Sequence, residues 1–324
     1  MTEPMWYPSA SIENLRKRAE IIKAIRDFFY QRDVLEVETP NLSIASVTDV
    51  HLASFSTQFI GVGGEKGIPL YLQTSPEYAM KRLLAAESGA IFQIGKAFRN
   101  EQAGSQHNPE FTMLEWYRPG FDHFQLMDEV DSLLQLILSS QPADKITYQE
   151  AFELHVGLDP LVASLEELKL VCTKHGFANI SDIETDKDIL LQLLFCTQVE
   201  PHIGQEIPCF VYNYPASQAS LSKICDSDKS VAQRFELYYQ NMELANGFNE
   251  LTDAAEQEQR FELDNIKRQS MELAPAYIDS RLLGALKHGI PPCSGVALGV
   301  DRLIMLALGC KSIKQVLSFD ITRA

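Results

Sequence analysis

The chain has 324 residues, of which 45% are hydrophobic and 22% charged, a composition typical of a globular protein with a sizeable core. Its formal net charge of -16 disfavours broad nucleic-acid binding, because an acidic surface repels phosphate backbones. The six cysteines form no Cys-x-x-Cys pair, so we expect reduced thiols and no structural zinc site. No long apolar run occurs, so we expect no membrane span and a cytoplasmic location.

Apolar periodicity predicts the elements of the N-terminal part. In chain order they are an arm at residues 1–10, a helix from Ser11 to Phe29, an extended run at 34–38 that stops at Pro40, a short strand at 70–72 and a helix at 78–86. Ser11 is a suitable N-cap for the first helix, and Pro76 suits the first turn of the last one.

The stretch Phe92–Tyr117 predicts two strands because its residues alternate with a period of two. One face of each strand is apolar: Phe92, Ile94 and Phe98 in the first, and Phe111, Met113 and Tyr117 in the second. The joining loop, Arg99–Glu110, has twelve residues, far more than a tight hairpin needs, and we expect it to be functional. Its Arg99, Glu101 and His107 offer contacts for phosphate and adenine, which predicts a nucleotide site.

The remaining elements complete one predicted domain over residues 1–324. They are helices at 124–138 and 189–195, a partly strand-like segment at 231–250, a solvated helix at 253–273, and a strand from Ser294 that leads into a helix at 303–308. This order predicts an α+β fold with a mainly antiparallel sheet.

Three glutamates, Glu236, Glu243 and Glu250, are spaced seven residues apart. On a helix this spacing gives one solvated acidic face, but Gly247 and the surrounding aromatic residues argue against a surface helix. Carboxylates beside a polyphosphate are natural ligands for Mg²⁺, whereas a more deeply buried carboxylate would pair with an ammonium.

A further pattern, Gly295-x-Ala297-x-Gly299, precedes Arg302. Small residues that alternate along a strand let a ligand approach the backbone closely, so the pattern predicts a pocket wall. It is neither a dinucleotide fingerprint nor a phosphate-binding P-loop.

Together these segments resemble the three signature motifs of class II aminoacyl-tRNA synthetases, and most closely those of the lysyl enzymes. The first motif ends at Pro40, the second includes Arg99 and the run HNPEFTMLEWY, and the third extends from Gly295 to Arg302. The run ELANGFNELTDAAEQ is also similar to lysyl-type sequence nearly residue for residue.

The resemblance implies a site for ATP and Mg²⁺ in which Arg99, Glu243 and Arg302 are catalytic. The implied ATP contacts are Arg99, Asn100, Glu101, His107, Asn108, Phe111, Glu243, Leu244, Gly299 and Arg302. Arg99 and Arg302 would hold the α-phosphate and the adenine side, Glu101 and Phe111 would contact the base, and Glu236 and Glu243 would hold Mg²⁺.

The resemblance also implies a pocket for a lysine-like amino acid. Its residues are Ser75, Glu77, Tyr117, Asn246, Glu250 and Ala297. Tyr117 and Glu250 would bind the side-chain ammonium, Asn246 the carboxylate, and Ser75 with Glu77 the other amino group. The lysyl enzymes have alanine at the position of Ser75 and glycine at that of Ala297, and these two departures favour β-lysine over α-lysine.

The acceptor is inferred from a domain that we expect to be absent. The lysyl enzymes carry an anticodon-binding OB-fold before the first motif, which here begins near residue 12, so we expect no anticodon recognition of tRNA. The chain thus resembles a stand-alone branch of these enzymes, which attaches (R)-β-lysine to a lysine of translation elongation factor P.

This resemblance implies an ATP-dependent, AMP-forming protein-lysine ligase that acts as a homodimer. Two alternatives keep the same motifs: a lysine-activating enzyme with an RNA acceptor, and a non-catalytic module that binds lysine or ATP.

Overall fold

The computed structural model describes residue 4, residues 6–61 and residues 67–324, so part of the predicted arm at residues 1–10 lies outside the described residues. The chain forms two compact units, Met1–Gly120 with Thr252–Ala324, and Phe121–Leu251. Each unit combines helices with mainly antiparallel strands, which confirms the predicted α+β class. Over the described ranges, no helix has the length and hydrophobicity that a membrane span requires.

The helices and strands are numbered along the whole chain. The first 120 residues contain α1 (Ile12–Tyr30), β1 (Leu35–Glu36), β2 (Leu42–Ser43), β3 (Ser56–Phe59), β4 (Ile68–Leu72), α2 (Glu77–Ala85), β5 (Ile91–Phe98) and β6 (Glu110–Pro119). The second unit contains α3 (His123–Leu138), β7 (Asp144–Thr147), α4 (Tyr148–Val156), α5 (Leu165–Lys174), α6 (Ala178–Ser181), α7 (Lys187–Leu194), β8 (Cys209–Pro215), β9 (Val231–Tyr239) and β10 (Met242–Asn249). The C-terminal residues of the first unit contain α8 (Ala254–Ser270), α9 (Ser280–His288), β11 (Cys293–Gly299) and α10 (Val300–Leu308).

In the first unit the strands follow the order β1-β5-β6-β11, and a smaller sheet has the order β2-β4-β3. β6 is antiparallel to both β5 and β11, and β1 is parallel to β5. The register aligns Gln93, Glu115 and Ala297 across three strands. The predicted hairpin is therefore confirmed, with a loop, Arg99–Pro109, that is one residue shorter than expected.

One face of β5 and β6 packs against α1. The ring of Phe29 stacks on Phe92, with 4.6 Å between ring centroids, and contacts Trp116 edge to face at 5.1 Å. α1 begins where the sequence predicts, because the hydroxyl of Ser11 accepts a hydrogen bond from the N–H of Asn14. With this face in the core, the opposite face of the same strands is left for a ligand.

In the second unit β7, β8, β9 and β10 are consecutive neighbours, and β9 and β10 form an antiparallel hairpin. The strand-like segment around residue 236 is confirmed, and Glu243 lies on β10 rather than on a helix. Gly247 lies opposite Phe235, where a Cβ atom would overlap the phenyl ring, so only glycine fits this position.

The helix after β11, α10, begins at Val300, three residues before the predicted start. Arg302 therefore belongs to the first turn of the helix. The neighbouring Asp301 is buried and pairs with Arg18 at 2.6 Å, and it accepts from the N–H of Thr112 at 2.7 Å. These contacts fix the start of α10, and with it Arg302, against β6.

Candidate active site

The free face of the first unit's sheet combines large ligand-binding groups with small neighbours. Because side chains alternate along a strand, Phe111, Met113, Glu115 and Tyr117 share this face. Their partners across β5 and β11 are small at most positions: Gly95, Ala97, Gly295, Ala297 and Gly299. This surface lets a ligand lie directly over the strands.

Glu115 occupies the centre of this face and is 1% exposed. Its Oε2 accepts a hydrogen bond from the hydroxyl of Ser75 at 2.7 Å, and its Oε1 accepts from the hydroxyl of Tyr117 at 2.6 Å. Ser75 is itself held at the start of α2, since its Oγ accepts from the N–H of Glu77 at 3.0 Å. The structure thus joins two predicted substrate residues through a carboxylate that the prediction lacked.

A second carboxylate and a lysine lie beside this cluster. The Oε1 of Glu77 is 2.7 Å from the ammonium of Lys81, which is 1% exposed and one turn further along α2. Of these three charged groups, Glu77, Glu115 and Lys81, two are negative and one is positive. The group therefore carries one excess negative charge if both carboxyls are ionised.

The environment of Glu115 opposes its ionisation. Burial, and next the charge of Glu77, raise the pKa of Glu115 to about 8, although hydrogen bonds from Tyr117 and Ser75 lower it. Glu115 is therefore mostly protonated at neutral pH without a cationic ligand. An ammonium that arrives beside it would favour the charged form and displace the proton.

Arg99 follows directly after β5 at the mouth of the loop. Its guanidinium carbon lies 5.3 Å from the centroid of the half-buried Phe111 ring, within the range of a cation–π contact. Its backbone N–H donates to the carbonyl of Pro109 at 2.9 Å, which closes the loop. The two residues predicted to hold the phosphate and the base are therefore neighbours.

Arg302 contacts the same loop from α10. Its Nη2 lies 2.6 Å from Nε2 of His107, and its Nε donates to the carbonyl of Gln106 at 3.4 Å. A guanidinium only donates, so Nε2 of His107 is the acceptor. Burial, followed by the charges of Arg302 and Arg99, lowers the pKa of His107, which keeps the ring neutral.

The other predicted ATP residues of the first unit lie on the loop or on β11. The backbone N–H of Asn100 donates to the carbonyl of Ala53 at 2.8 Å, and Glu101 is exposed. The Nδ2 of Asn108 donates to the carbonyl of Glu110 at 2.6 Å. Gly299 is the last residue of β11 and pairs with Met113.

In the second unit, Glu236 is buried in a network of its own. Its oxygens accept hydrogen bonds from Arg234 and from the hydroxyls of Tyr214, at 2.7 Å, and Tyr238. Arg234 also lies over the Tyr214 ring at 4.5 Å and donates to Oδ1 of Asn246 at 3.3 Å. Burial by itself would lower the pKa of Arg234, but Glu236 and Tyr214 raise it, so the arginine stays charged.

The remaining predicted residues of this unit lie on or just after β10. Glu243 is exposed and pairs with Tyr238 across the hairpin, Leu244 is buried, and Asn246 pairs with Glu236. Glu250 is 3% exposed and forms a β-bridge with Ser222.

An Mg²⁺ site would suit Glu243 better than Glu236. In the described part of the chain, no three acidic, histidine or cysteine side chains form a cluster suited to a metal. Mg²⁺ in nucleotide sites usually needs only one or two carboxylates together with the phosphates, and the exposed Glu243 fits this pattern. Glu236 already accepts three hydrogen bonds, and its ion pair with Arg234 places a positive charge where the metal would bind.

Three charged residues of these networks were not predicted from the sequence: Glu115, Lys81 and Arg234. Glu115 had a detectable signal, because period-two alternation places it on the same face as Met113 and Tyr117. Lys81 and Arg234 also had local signals, because Lys81 follows Glu77 by four residues on a helix and Arg234 shares a strand face with Glu236. Their degree of burial is visible only in the fold.

Comparison with known proteins gives consistent matches over almost the whole chain. A family model described as tRNA synthetases class II (D, K and N) matches residues 7–323. The chain is similar to a protein of Pseudoalteromonas translucida named elongation factor P--(R)-beta-lysine ligase, with 63% identity over 324 residues and full coverage of both chains. Proteins of the same name from Salmonella heidelberg and Salmonella dublin are 59% and 58% identical over 319 residues, which is 98% of each chain.

Proposed function

We propose how this chain carries out a ligase reaction. The chain belongs to the class II tRNA synthetases (D, K and N) and, within them, to the elongation factor P--(R)-beta-lysine ligases. It activates (R)-β-lysine with ATP and transfers it to the ε-amine of a lysine of elongation factor P. The family model spans both compact units, which supports a single catalytic domain over residues 1–324.

The cluster around Glu115 is the observation that carries this proposal. A buried carboxylate that holds two hydroxyls, Ser75 and Tyr117, beside the Glu77–Lys81 pair offers negative charge to a substrate ammonium. Ala297 lies directly across from Glu115 on β11, so its methyl group restricts the space next to the carboxylate. A diamino acid such as β-lysine matches both the charge and the restricted space.

In the first half-reaction, the substrate carboxylate attacks the α-phosphorus of ATP, which forms the β-lysyl adenylate and releases pyrophosphate. Arg99 and Arg302 neutralise the charge that develops at the phosphorus, and Phe111 supports the adenine. His107 accepts from Arg302 and so orients its guanidinium. We assign further ATP contacts to Asn100, Glu101, Asn108, Leu244 and Gly299.

In the second half-reaction, the deprotonated ε-amine of the acceptor lysine attacks the carbonyl carbon of the adenylate. An amide bond forms, the bond to the phosphate breaks, and AMP leaves. Glu250 and Asn246 complete the assigned contacts to the amino acid, with Asn246 on the carboxylate that reacts. A positioned mixed anhydride is reactive enough to need no covalent enzyme intermediate.

Glu243 is the residue we assign to Mg²⁺, with Glu236 as a further predicted ligand. When bound, the ion would neutralise phosphate charge during the attack. We also propose a homodimer in the cytoplasm without anticodon recognition of tRNA. Tyr30 and Leu35 of the first motif are 52% and 55% exposed, which supports an interface at this motif.

The test is an ATP–pyrophosphate exchange assay with (R)-β-lysine, (S)-β-lysine and α-lysine, followed by intact-mass analysis of elongation factor P. We expect exchange to be fastest with (R)-β-lysine, and a mass increase of one β-lysyl group that needs both ATP and Mg²⁺. Glu115→Gln should slow the exchange with (R)-β-lysine. Its matched control is Glu110→Gln, which changes an exposed glutamate on the same strand and should behave as the wild type.

Two outcomes would contradict the proposal. Exchange without modification of elongation factor P, together with charging of tRNA, would favour an RNA acceptor. Tight binding of lysine or ATP without any exchange would favour a non-catalytic module.

A further inference from the structure

The segment after α10 contacts the loop Arg99–Pro109, to which ATP binding is assigned above. The backbone N–H of Ile313 donates to the carbonyl of Ser105 at 2.7 Å. The N–H of Ile321 donates to Oδ1 of Asn108 at 3.0 Å. The C-terminal segment therefore holds the loop at two positions, and one of them is an assigned ATP contact.

Asp320 fixes this segment. It is 2% exposed, and its Oδ1 accepts from the hydroxyl of Ser9 at 2.8 Å, while its own N–H donates to Oγ of Ser9 at 3.0 Å. Its Oδ2 lies 3.1 Å from the ammonium of Lys314 and accepts from the hydroxyl of Thr322 at 2.9 Å. We call these four residues, Ser9, Lys314, Asp320 and Thr322, the terminal clasp.

Backbone hydrogen bonds extend the clasp to the arm that precedes α1. The N–H of Ser9 donates to the carbonyl of Ser318 at 2.8 Å, and the N–H of Ala10 donates to the carbonyl of Leu317 at 3.1 Å. Leu317 is buried. The arm and the C-terminal segment are thus paired along a short stretch, so neither can move without breaking several hydrogen bonds.

Asp320 stays ionised at neutral pH. Burial by itself would raise the pKa of Asp320, but hydrogen bonds from Ser9, Lys314 and Thr322 lower it to about 2. Protonation of Asp320 therefore does not release the segment under physiological conditions.

A loop of this length would lose much conformational entropy if it became ordered only when ATP binds. Hydrogen bonds that order the loop beforehand remove this cost from the binding step and so strengthen ATP binding. The clasp is the part of the structure that ties both chain ends to the loop.

We propose that the terminal clasp orders the loop for ATP, with Ser9 and Asp320 as positioning residues that act through the C-terminal segment. The inference rests on the proposed use of ATP. The hydrogen bonds from the C-terminal segment to the loop come from Ile313 and Ile321, so Ser9 and Asp320 act through these two residues.

Steady-state pyrophosphate exchange on Asp320→Ala and Ser9→Ala tests the inference. Both changes should raise KM for ATP, by about tenfold for Asp320→Ala and less for Ser9→Ala, which removes one hydroxyl only. The KM for the amino acid and kcat at saturating substrates should stay within about twofold of the wild type. Ser9→Thr retains a hydroxyl and should restore KM for ATP.

Limited proteolysis gives a readout that needs no activity. A glutamate-specific protease should cleave the loop at Glu101 faster in Asp320→Ala than in the wild type, and ATP should suppress cleavage in both. The matched control is Asp27→Asn, which removes the charge of a partly exposed aspartate that pairs with Lys23 on α1. It should leave both the kinetics and the cleavage rate unchanged.

The outcomes separate the two proposals. A wild type without pyrophosphate exchange contradicts the proposed function. The proposed role of the clasp is contradicted if the wild type is active and both variants, Ser9→Ala and Asp320→Ala, have the KM for ATP and the cleavage rate of the wild type. Equal increases of KM for ATP and for the amino acid, with an unchanged cleavage rate, also contradict the proposed role of the clasp. If Asp320→Ala does not fold, Ser9→Ala alone provides the test.

Discussion

Two buried glutamates, Glu115 in the first unit and Glu236 in the second, accept hydrogen bonds from tyrosine hydroxyls but differ in their positive partners. Glu236 forms a direct ion pair with Arg234. Around Glu115 the lysine is bound to a different carboxylate, that of Glu77. Burial is costly for a charge unless a partner compensates it, and Glu236 has its compensation within the fold. Lys81 offsets the burial of Glu115 only in part, and we propose that a ligand supplies the rest.

The largest expected effect on substrate binding is the loss of amino-acid affinity in Glu115→Gln. The amide keeps the shape of the side chain but cannot supply a negative charge, and a charged hydrogen bond in a buried site contributes about 2–5 kcal/mol. We therefore expect KM for (R)-β-lysine to rise by about 100-fold or more, with a much smaller change of KM for ATP. Pyrophosphate exchange at varied substrate concentrations measures both values.

Glu110→Gln on the same strand is the control for this change, because Glu110 is exposed. If Glu115→Gln had the same KM for the amino acid as Glu110→Gln, Glu115 would not bind the substrate ammonium.

Glu236→Gln should act on stability, because it leaves the charge of Arg234 buried without its ion pair. Removal of one partner of a buried pair costs about 3–5 kcal/mol in typical cases. Chemical unfolding followed by circular dichroism would measure the loss. Glu256→Gln, which removes a partly exposed partner of Arg260, should cost only about 0.3–0.5 kcal/mol. Equal losses in the two variants would remove the distinction between the two glutamates.

The pH dependence of stability should carry the signature of Glu115. The pKa of Glu115 is raised in the folded protein, so the folded state holds this proton to a higher pH than the unfolded state does. The contribution to stability is therefore present in full below the unfolded pKa and is lost as the pH rises through about 8. The free energy of unfolding should fall between about pH 5 and pH 8 by up to about 1.4 kcal/mol per pH unit from this group.

Denaturant titrations of the wild type and Glu115→Gln over this pH range would isolate the contribution. The difference in stability between the two should change with pH in the free protein and become nearly constant when saturating amino acid is present. A difference that does not depend on pH would mean that Glu115 is ionised in the free protein.

The smallest expected effect is a change of substrate preference in Ala297→Gly. The methyl group lies opposite Glu115, and one methyl in a tight pocket contributes about 1–3 kcal/mol of discrimination. We expect the preference for (R)-β-lysine over α-lysine to fall by about tenfold, measured as a ratio of kcat/KM values. Ala97→Gly, on the same face of β5, should leave the ratio unchanged.

Patterns within one element predicted most of the fold around the site. The hairpin of β5 and β6, the cap at Ser11 and the strand with small residues before Arg302 all follow from local periodicity, because alternation and capping depend on neighbours in sequence. The start of α10 was predicted too late, since Asp301 reads as a break in an apolar run although Arg18 compensates it within the fold.

The site was predicted less completely. Ser75 and Tyr117 were assigned to the substrate through resemblance, but the carboxylate that joins them was missed. Alternation places Glu115 on the face of Tyr117, but its contact with Ser75 depends on how α2 packs against the sheet. The distinction between Glu115 and Glu236 is also absent from the sequence, because it depends on which cation lies beside each carboxylate. Burial and partners across strands determine charge, and both are tertiary properties.

The most direct test of the role of Glu115 is the number of protons released when (R)-β-lysine binds. Isothermal titration calorimetry at pH 7 in buffers of different ionisation enthalpy measures this number. A carboxyl whose pKa is raised to about 8 and that ionises on binding should release most of one proton per ligand in the wild type and close to none in Glu115→Gln. Equal proton release in the wild type and the variant would contradict the claim that the ligand supplies the compensating charge.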